Sequence, residues 1–475
     1  MRTLPGTRRS TPTPTPAAPA SAPSPTWPGA AIMDDPATAG VLHSAWSGDA
    51  ATVVPSPPGA GKTRLVALLA ATLAGRVDLR VGIAAQTRDQ AAEIARRVGA
   101  LDTPARLVWP AGHTPPDLSA GAARVVKGRD VRYPTSGGGV IIATTARWTY
   151  ADPKIVGCDL MIVDEAWQAT YGDLGALGAF APQLVCVGDP GQIAPVVTGA
   201  TRRWADSPTG PHLPAPEALI AAHKDAVSVV TLRHTWRLGP QTTALVQPTF
   251  YPTLPFTSRR PPEHLSDTSG TPLPEVAHLP VTATAGPGDP ALIRACADLI
   301  RHLLTTTLTT ATGSRPITPA DLAVVTPHVT QAAAVNALLA DLPGILVGTA
   351  NGLQGMERAA AVVLHPLAGY RDPVAFGTDL GRACVMLSRH RCHLSVVTDT
   401  ATPAVLAGDD PDPATLARIG TFVELHVEQG RHLVDLDAPV GVGSHIWPHG
   451  RWRIDVPGTV NHAGTTALDD REVGA

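Results

Sequence analysis

The sequence predicts an α/β fold made of two domains, each built on a parallel sheet. From about residue 50, short apolar runs alternate with helical patterns, and each run ends in a polar loop. The runs are ATVVP, LRVGIAAQT, GVIIATTARW, DLMIVDEAW and QLVCVGDP. Short apolar runs separated by helices are typical of parallel strands that are covered on both faces. In such sheets, ligands bind beyond the carboxyl ends of the strands.

A break in this alternation separates the two predicted domains. Residues 205–219 are rich in Pro and Gly, which predicts a first domain over 33–206 and a linker over 207–219. Beyond it, ALIRACADLIRHLL and VTQAAAVNALLADL predict helices, and DLAVVTPH, GILVGTA, AAAVVLHP and HLSVVTD predict strands, with a further helix near DLGRACVMLSRH. These elements predict a second α/β domain over 220–405. Its Pro-rich stretch 250–290 is expected to be irregular.

The two ends of the chain do not fit this pattern. Residues 1–32 are rich in Pro, Thr, Ser and Ala, and they lack the apolar stretch of a secretory signal. With so little to bury, this segment is expected to be disordered. Residues 406–475 follow the last predicted strand and are considered separately below.

The composition excludes several classes of protein. The 475 residues carry 37 Lys and Arg against 40 Asp and Glu, a formal charge of -3. This balance argues against binding polyanions through a basic tail, but it allows a local basic groove. The five cysteines form no CxxC pair, so neither a disulfide framework nor a cysteine-based zinc site is indicated, and a cytoplasmic location is expected. No apolar run reaches the about 18 residues of a membrane-spanning helix, so no membrane partner is expected.

A phosphate-binding loop is predicted at residues 56–63, SPPGAGKT, between an apolar strand and an apolar helix. Gly59 and Gly61 allow backbone N–H groups to turn towards phosphate oxygens, Lys62 supplies a positive charge, and the Thr63 hydroxyl can hold Mg²⁺. Ser56 stands where such loops usually have their first glycine. The predicted nucleotide contacts are Pro58, Gly59, Ala60, Gly61, Lys62, Thr63 and Arg64.

Two adjacent carboxylates end the apolar run LMIVDEAWQ, residues 160–168. A strand that ends in Asp-Glu is often only a solvated loop. About a hundred residues after a phosphate loop, however, the pair favours a catalytic site. Asp164 is predicted to bind Mg²⁺ through water, and Glu165 to orient or deprotonate the attacking water.

With these residues in place, the chain resembles a family. DEAWQ resembles the second motif of superfamily 1 helicases of the DEAxQ type, and further motifs follow the family order over roughly residues 40–400. They are AAQTRDQA, VIIATTARW, VGDPGQIAPVV, TLRHTWRLGP, VVTPHVTQ, TANGLQGMERAAAVVL and VMLSRHR. The resemblance implies that Gln192 senses the γ-phosphate, that Arg237 is a catalytic arginine and that Arg389 is the arginine finger. It also implies that Gln354, Gly355 and Glu357 touch the nucleotide and the loops coupled to it.

This resemblance implies two RecA-like P-loop NTPase domains, ATP and Mg²⁺ as cofactors, and single-stranded DNA or RNA as partner. Helicase and translocase stay open, because the first domain has no large insertion of the kind that separates strands. A nucleotide-gated binding module with a decayed second domain is the alternative from another class. Residues 31–60 contain no Gln, so adenine selectivity stays open, as does the oligomeric state.

The segment 416–472 resembles a different family, the dinuclear-metal amidohydrolases that act on allantoate and N-carbamoyl amino acids. ELHVEQG, GRWRIDVPG and NHAGTT carry this resemblance, which implies that His426 is a metal ligand. The family's other ligands have no counterpart before residue 416, and one His cannot hold two metals. The segment 406–475 is therefore expected to be a small α/β fragment without activity; the alternative is a metal-dependent amidohydrolase fused to the NTPase.

Overall fold

The computed structural model describes residues 35–407, 415, 418 and 419. The predicted disordered segment 1–32 and His426 lie outside these residues. None of the helices within them is both long and apolar enough to cross a membrane. All five cysteines lie within the described part of the chain, where they are buried and unpaired.

The first part of the chain alternates strands and helices as the sequence predicts. Its strands are β1 (Ala51–Pro55), β2 (Arg80–Ala85), β3 (Ala105–Val108), β4 (Ala123–Val126), β5 (Gly139–Thr144), β6 (Leu160–Asp164), β7 (Gln183–Gly188) and β8 (Val227–Val229). Its helices are α1 (Pro36–Ser47), α2 (Lys62–Arg76), α3 (Arg88–Gly99), α4 (Thr145–Trp148), α5 (Pro153–Val156), α6 (Tyr171–Leu177) and α7 (Ala215–His223).

These eight strands form one parallel sheet in the order β4-β3-β5-β2-β6-β7-β1-β8. Helices α2 and α3 cover one face of the sheet with Leu, Ile, Val and Ala side chains, and a second buried cluster covers the other face. Because β6, β7 and β1 are neighbours, their carboxyl ends lie side by side: Asp164 is level with Val187, and Pro55 with Gly188. The loops that follow these three strands therefore converge.

The second part of the chain contains three more sheets. Its strands are β9 (His234–Thr235), β10 (Thr257–Ser258), β11 (His264–Ser266), β12 (Val276–Val281), β13 (Thr307–Thr310), β14 (Gly313–Pro316), β15 (Leu322–Thr326), β16 (Leu346–Thr349), β17 (Arg358–Leu364) and β18 (His390–Asp399). Its helices are α8 (Pro240–Phe250), α9 (Pro290–Leu303), α10 (Val329–Leu338), α11 (Leu380–Leu387) and α12 (Thr402–Leu406).

The main sheet of this second part is parallel, in the order β12-β18-β17-β15-β16. A three-stranded antiparallel sheet, β11-β13-β14, and the short pair β10-β9 lie beside it. The predicted α/β class with two parallel sheets is confirmed, and the architecture is consistent with two RecA-like domains.

Two features differ from the sequence predictions. The stretch 250–290 is not wholly irregular, because β12 joins the main second sheet. Its Pro280 hides the strand in the sequence, and a sheet tolerates proline at the edge position that β12 occupies. Strand β8 lies beyond residue 220 but pairs with β1, so the first sheet extends past the predicted linker. The limits proposed for the domains stay predictions.

The core of the second part also reaches beyond residue 405. Ile419 is buried in the same apolar cluster as Val405, and its carbonyl lies 3.3 Å from Nε2 of His365. Arg418 donates through Nε to the carbonyl of Thr249 at 2.6 Å. Residues 418 and 419 thus belong to the folded core, although the sequence places them in the amidohydrolase-like segment.

Three buried histidines predict that the second part loses stability in mild acid. Burial lowers the pKa of His365 and of His393 to about 4, and it lowers that of His390 well below 6.5. Between pH 6.5 and 4 the unfolded chain therefore binds more protons than the folded chain, so stability falls as the pH falls. Two such shifts correspond to a loss on the order of several kcal/mol.

Thermal unfolding between pH 7.5 and pH 5 checks this expectation, because ordinary carboxylates titrate below that window. Asp164, whose pKa burial raises to about 7, acts in the opposite direction but offsets only one of the three imidazoles. We expect the melting temperature to fall steadily as the pH is lowered from 6.5. A melting temperature that stays constant over this range would contradict the assignment of neutral, buried imidazoles.

Candidate nucleotide-binding site

The loop between β1 and α2 has the backbone shape of a phosphate cradle. Gly59 and Gly61 adopt positive φ angles of 71° and 85°, which glycine adopts at no steric cost. Helix α2 begins at Lys62, directly after the loop, so its free N–H groups and its dipole point into the cradle. Thr63 is half-buried and Arg64 is exposed at the start of the same helix.

Ser56 anchors this loop to the neighbouring strand. Its backbone N–H and its hydroxyl both donate to the carbonyl of Gly188, at 2.9 and 2.6 Å. Ser56 is fully buried, and a buried hydroxyl needs a hydrogen-bond partner within the protein, which the carbonyl of Gly188 provides. A serine in place of the usual glycine therefore adds a side-chain hydrogen bond that links the ends of β1 and β7.

The segment around β9 packs directly on the loop. The Thr235 hydroxyl donates to the carbonyl of Pro58 at 2.7 Å, and the N–H of Trp236 donates to the carbonyl of Gly59 at 2.9 Å. A Cβ on Gly59 would lie 2.3 Å from the Cβ of Arg237, so only glycine fits there. The predicted catalytic segment TLRHTWRLGP is thus held against the phosphate cradle.

The two carboxylates at the carboxyl end of β6 differ in environment. Asp164 is buried, and its Oδ1 has no hydrogen-bond partner among the described residues. Burial raises the pKa of Asp164 to about 7, with Glu165 adding to the rise and Lys62 opposing it. Glu165 is half-buried and has a φ of 50°, a left-handed conformation that is rare for a non-glycine residue and is often found at functional sites.

Lys62 has an acidic neighbour that the sequence analysis did not single out. Its Nζ lies 3.6 Å from Oδ2 of Asp189, which follows β7 and is 1% exposed. The Tyr251 hydroxyl donates to Oδ1 of Asp189 at 2.7 Å. Tyr251 follows α8 of the second part and packs so closely on Gly191 that a Cβ there would lie 2.4 Å from its ring. Asp189 thus links the cradle to the second part of the chain.

Gln192, the predicted γ-phosphate sensor, lies in the same network. Its Nε2 donates to Oδ2 of Asp189 at 2.6 Å, and its Oε1 accepts from Nε2 of Gln354 at 3.0 Å. Gln354 was predicted to touch the nucleotide, and the structure brings it onto Gln192. Gly355, beside it, has a positive φ of 83° and turns the chain after this contact.

Arg237 and Glu357 form an ion pair that joins the β9 segment to the loop before β17. Burial works to raise the pKa of Glu357, but Arg237 and Arg391 outweigh it, and the pKa is lowered. Arg237 also donates to the carbonyl of Ser388 at 3.2 Å. The sequence placed Glu357 among the nucleotide contacts; in the structure its carboxylate holds Arg237 in position.

Arg389 is a buried guanidinium without an acidic partner within the described part of the chain. It is 2% exposed, it donates to Ser388 Oγ at 2.9 Å and to the carbonyl of Met356 at 3.4 Å, and its Nε has no partner there. Burial and the neighbouring charge of Arg237 lower the pKa of Arg389 to about 10, so it stays charged at neutral pH. Unpaired buried charges are costly and are therefore concentrated at functional sites.

A basic cleft opens at the carboxyl ends of β3, β4 and β5. It has a volume of about 540 Å³, and its walls include the half-buried Trp109. Its cationic side chains are Arg88, Lys127, Arg129 and Arg147. Arg88 and Arg147 lie in the segments AAQTRDQA and VIIATTARW, which resemble motifs of the helicase family. Trp148 and Trp167, by contrast, are buried and donate to the carbonyl of Ile83 and to Glu217, so they belong to the core.

The structure therefore brings most of the predicted site residues into one region. Lys62, Asp164, Gln192, Arg237 and Arg389 surround or adjoin the cradle. Sequence reasoning missed Asp189 and Tyr251, although Asp189 lies in the quoted GDPGQ segment at a strand end. Among the described residues no group of three or more His, Cys, Asp and Glu side chains forms a metal cluster.

Comparisons with known proteins gave similarities to a family model and to solved structures. Residues 38–213 match a family model described as an AAA domain. A solved structure of the PRRSV helicase is 18% identical, with a TM-score of 0.39 and coverage of 76% of this chain and 54% of that chain. The helicase nonstructural protein 10 of an arterivirus is 14% identical, with a TM-score of 0.40 and coverage of 75% and 61%. Its complex with DNA is 14% identical, with a TM-score of 0.42 and coverage of 80% and 65%.

A curated Mycolicibacterium smegmatis (strain ATCC 700084 / mc(2)155) protein, named as a hydrolase of unproven activity, is 31% identical over 55 residues. This match covers 12% of the present chain and 13% of that protein. The chain thus spans about an eighth of that curated relative and little more than half of the PRRSV helicase chain. The match to an AAA domain model, together with the phosphate loop at residues 56–63, implies an NTPase. The amidohydrolase resemblance of the last segment is not supported by a family model.

Proposed function

We propose that this protein is an ATP-dependent nucleic-acid translocase or helicase that hydrolyses ATP between two RecA-like domains. The observation that carries the proposal is the convergence of both parts of the chain on the phosphate cradle. Lys62 and Asp164 come from the first part, and Arg237 and Arg389 come from the second part. An NTPase with its site between two domains needs cations from the far side to stabilise the departing phosphate.

The residues present fit a bound magnesium ion. The buried Oδ1 of Asp164 lacks a partner among the described residues, and carboxylate and hydroxyl oxygens are the ligands that Mg²⁺ prefers. Thr63 and Asp164 would hold the ion, which would neutralise charge on the β- and γ-phosphates. Glu165 would orient the attacking water and accept its proton. The proposed substrate is ATP rather than another nucleoside triphosphate.

Asp189 gives the site a way to respond to nucleotide. In the structure its carboxylate neutralises Lys62. A γ-phosphate placed at Lys62 would compete with that carboxylate, because both are anions that seek the same ammonium group. Asp189 is also bonded to Gln192 and to Tyr251. If Asp189 lost its contact with Lys62, its hydrogen bond with Tyr251 would change too, and this would couple nucleotide binding to the second part of the chain.

Single-stranded DNA or RNA is the proposed partner, and the basic cleft is the proposed contact surface. Its four cations can bind backbone phosphates without reading sequence. Trp109 offers one aromatic face for base stacking. The cleft lies beyond the carboxyl ends of strands in the same sheet as the phosphate cradle, which is where this type of sheet binds its ligands. A cytoplasmic location completes the proposal.

Tailed duplexes test the proposal most directly. We expect the rate of ATP hydrolysis to rise when single strands are added. We also expect a duplex with a 5′ tail to be unwound in preference to one with a 3′ tail, because the family resemblance implies 5′-to-3′ movement. Stimulated hydrolysis without strand separation would leave a translocase. Nucleotide binding without any stimulated hydrolysis would refute the proposal and favour a nucleotide-gated binding module.

A further inference from the structure

The edge of the first sheet carries a second basic cavity, separate from the cleft. We propose that this edge arginine cavity, formed by Arg106, Arg124 and Arg132, binds backbone phosphates of the nucleic acid outside the basic cleft. The proposal rests on the proposed function, because it extends the path of the same partner. It concerns residues to which no motif of the sequence analysis gave a role.

The three arginines share one cavity although nothing in the described structure neutralises them. The cavity has a volume of about 220 Å³ and is lined by all three side chains, with Val126, Ile141 and the ring of Tyr133 as its walls. None of the three guanidinium groups forms an ion pair among residues 35–407, 415, 418 and 419. Three cations that meet without a carboxylate form a site for an anion.

Strand pairing forces two of these charges together. Arg106 of β3 and Arg124 of the edge strand β4 are register partners, so their side chains project from the same face of the sheet as neighbours. Like charges in directly opposite positions destabilise a sheet. A bound anion would remove this repulsion, and apolar or acidic residues at either position would have avoided it.

The hydrogen bonds of the three arginines leave donors to spare. Arg106 donates to the carbonyl of Arg132. Arg124 donates to the carbonyls of Gly121 and Ala123 at 2.5 and 2.7 Å, in both cases through one nitrogen. Arg132 donates to the carbonyls of Val131 and Arg129, again through one nitrogen. Each guanidinium has five N–H groups, so most remain available for phosphate oxygens.

The same stretch of chain lines both the edge arginine cavity and the basic cleft, which favours a polynucleotide as the anion. Residues 124–132, RVVKGRDVR, contain four cations and one carboxylate, in a chain whose net charge is -3. Within this segment Lys127 and Arg129 line the cleft, whereas Arg124 and Arg132 line the edge cavity. A single strand bound in the cleft can therefore continue to the edge of the sheet and meet cations along its way. A free phosphate or nucleotide would occupy the cavity alone and would gain nothing from this continuity.

The test compares the triple variant Arg106→Gln, Arg124→Gln, Arg132→Gln with the wild type over a series of single strands of increasing length. We expect equal affinity for the shortest strands, which the cleft alone accommodates. For long strands we expect affinity to be about 10- to 100-fold weaker at low salt. The slope of log affinity against log salt should be shallower by about 2, because three phosphate contacts on a single strand are lost.

Two further variants make the result specific. Replacing Arg96, Arg97 and Arg315 with Gln removes the same amount of charge from exposed arginines that pair with carboxylates, and it should leave the salt slope unchanged. The triple variant Arg106→Lys, Arg124→Lys, Arg132→Lys keeps the charge and should restore the slope. Thermal unfolding checks that all variants are folded, and inorganic phosphate serves as the probe for a free-anion site.

The possible failures can be told apart. If the wild type binds single strands and hydrolyses ATP in response, but the glutamine triple variant has the same slope with long strands, the edge arginine cavity is not a nucleic-acid site and the proposed function stands. Competition by inorganic phosphate with no dependence on strand length would also overturn the proposal. If the wild type binds no single strand of any length, both this proposal and the proposed function are wrong.

Discussion

Lys62→Ala is expected to reduce ATP hydrolysis by roughly 10³-fold, because it removes the cation at the centre of the cradle. Helix α2 starts at Lys62, and its ammonium group lies 3.6 Å from Asp189, in the place where a terminal phosphate would have to be neutralised. Steady-state hydrolysis and nucleotide affinity should both fall. Because the substitution leaves the buried Asp189 without its cation, a thermal melt must accompany the kinetic measurement.

Glu165→Gln is the matched control for this experiment. It keeps the shape of the side chain and the charge of Lys62, so nucleotide should still bind. Without a carboxylate to orient and deprotonate water, turnover should fall by a similar factor. Hydrolysis at the wild-type rate in both variants would refute the assignment of the cradle as an NTPase site. Loss of binding in Glu165→Gln alone would assign Glu165 to nucleotide binding rather than to the chemical step.

Arg389→Met is expected to reduce kcat by about 10³-fold while leaving the fold as stable as before, or making it more stable. Arg389 is buried and charged, and among the described residues it has only a hydroxyl and a carbonyl as partners. An apolar side chain of similar volume removes the cost of burying this charge. If Arg389 serves catalysis, its replacement should raise the stability of the protein and at the same time lower its turnover.

Arg237→Ala provides the contrast, because its guanidinium is paired with Glu357 and its backbone packs on the phosphate loop. We expect this variant to lose both turnover and thermal stability, since the carboxylate of Glu357 is left without its strongest partner. Measuring kcat, nucleotide affinity and melting temperature for both variants separates the two roles. A less stable Arg389→Met protein with normal kcat would show that Arg389 is structural.

The sequence by itself determined the class of the fold and the location of the phosphate cradle. Strands β1, β6 and β7 are almost purely apolar, and only strands buried on both faces tolerate that composition. Gly59, Gly61 and Lys62 could be recognised because a phosphate loop depends on local backbone conformation and on residues that are adjacent in the chain. Asp164 and Glu165 could be found for the same reason, since Asp164 ends a strand and Glu165 directly follows it.

Other parts of the fold could not be predicted from local patterns. Strand β12 contains a proline, and β8 lies beyond a Pro-rich break, so their places at sheet edges depend on pairing with distant strands. Ile419 is buried through contacts with the second part of the chain, although the local sequence around it resembles the amidohydrolase family. Such long-range pairing leaves little trace in the order of neighbouring residues.

Only the tertiary structure decided which side chains meet at the cradle. Asp189 faces Lys62 because parallel pairing sets the ends of β7 and β1 side by side, and Tyr251 reaches Asp189 from 62 residues further along the chain. The pairing of Arg237 with Glu357, and the lack of an acidic partner for Arg389 within the described residues, also depend on packing, here between distant segments of the second part. The sequence contained these residues, but their electrostatic roles follow from distances and burial, which only the folded chain defines.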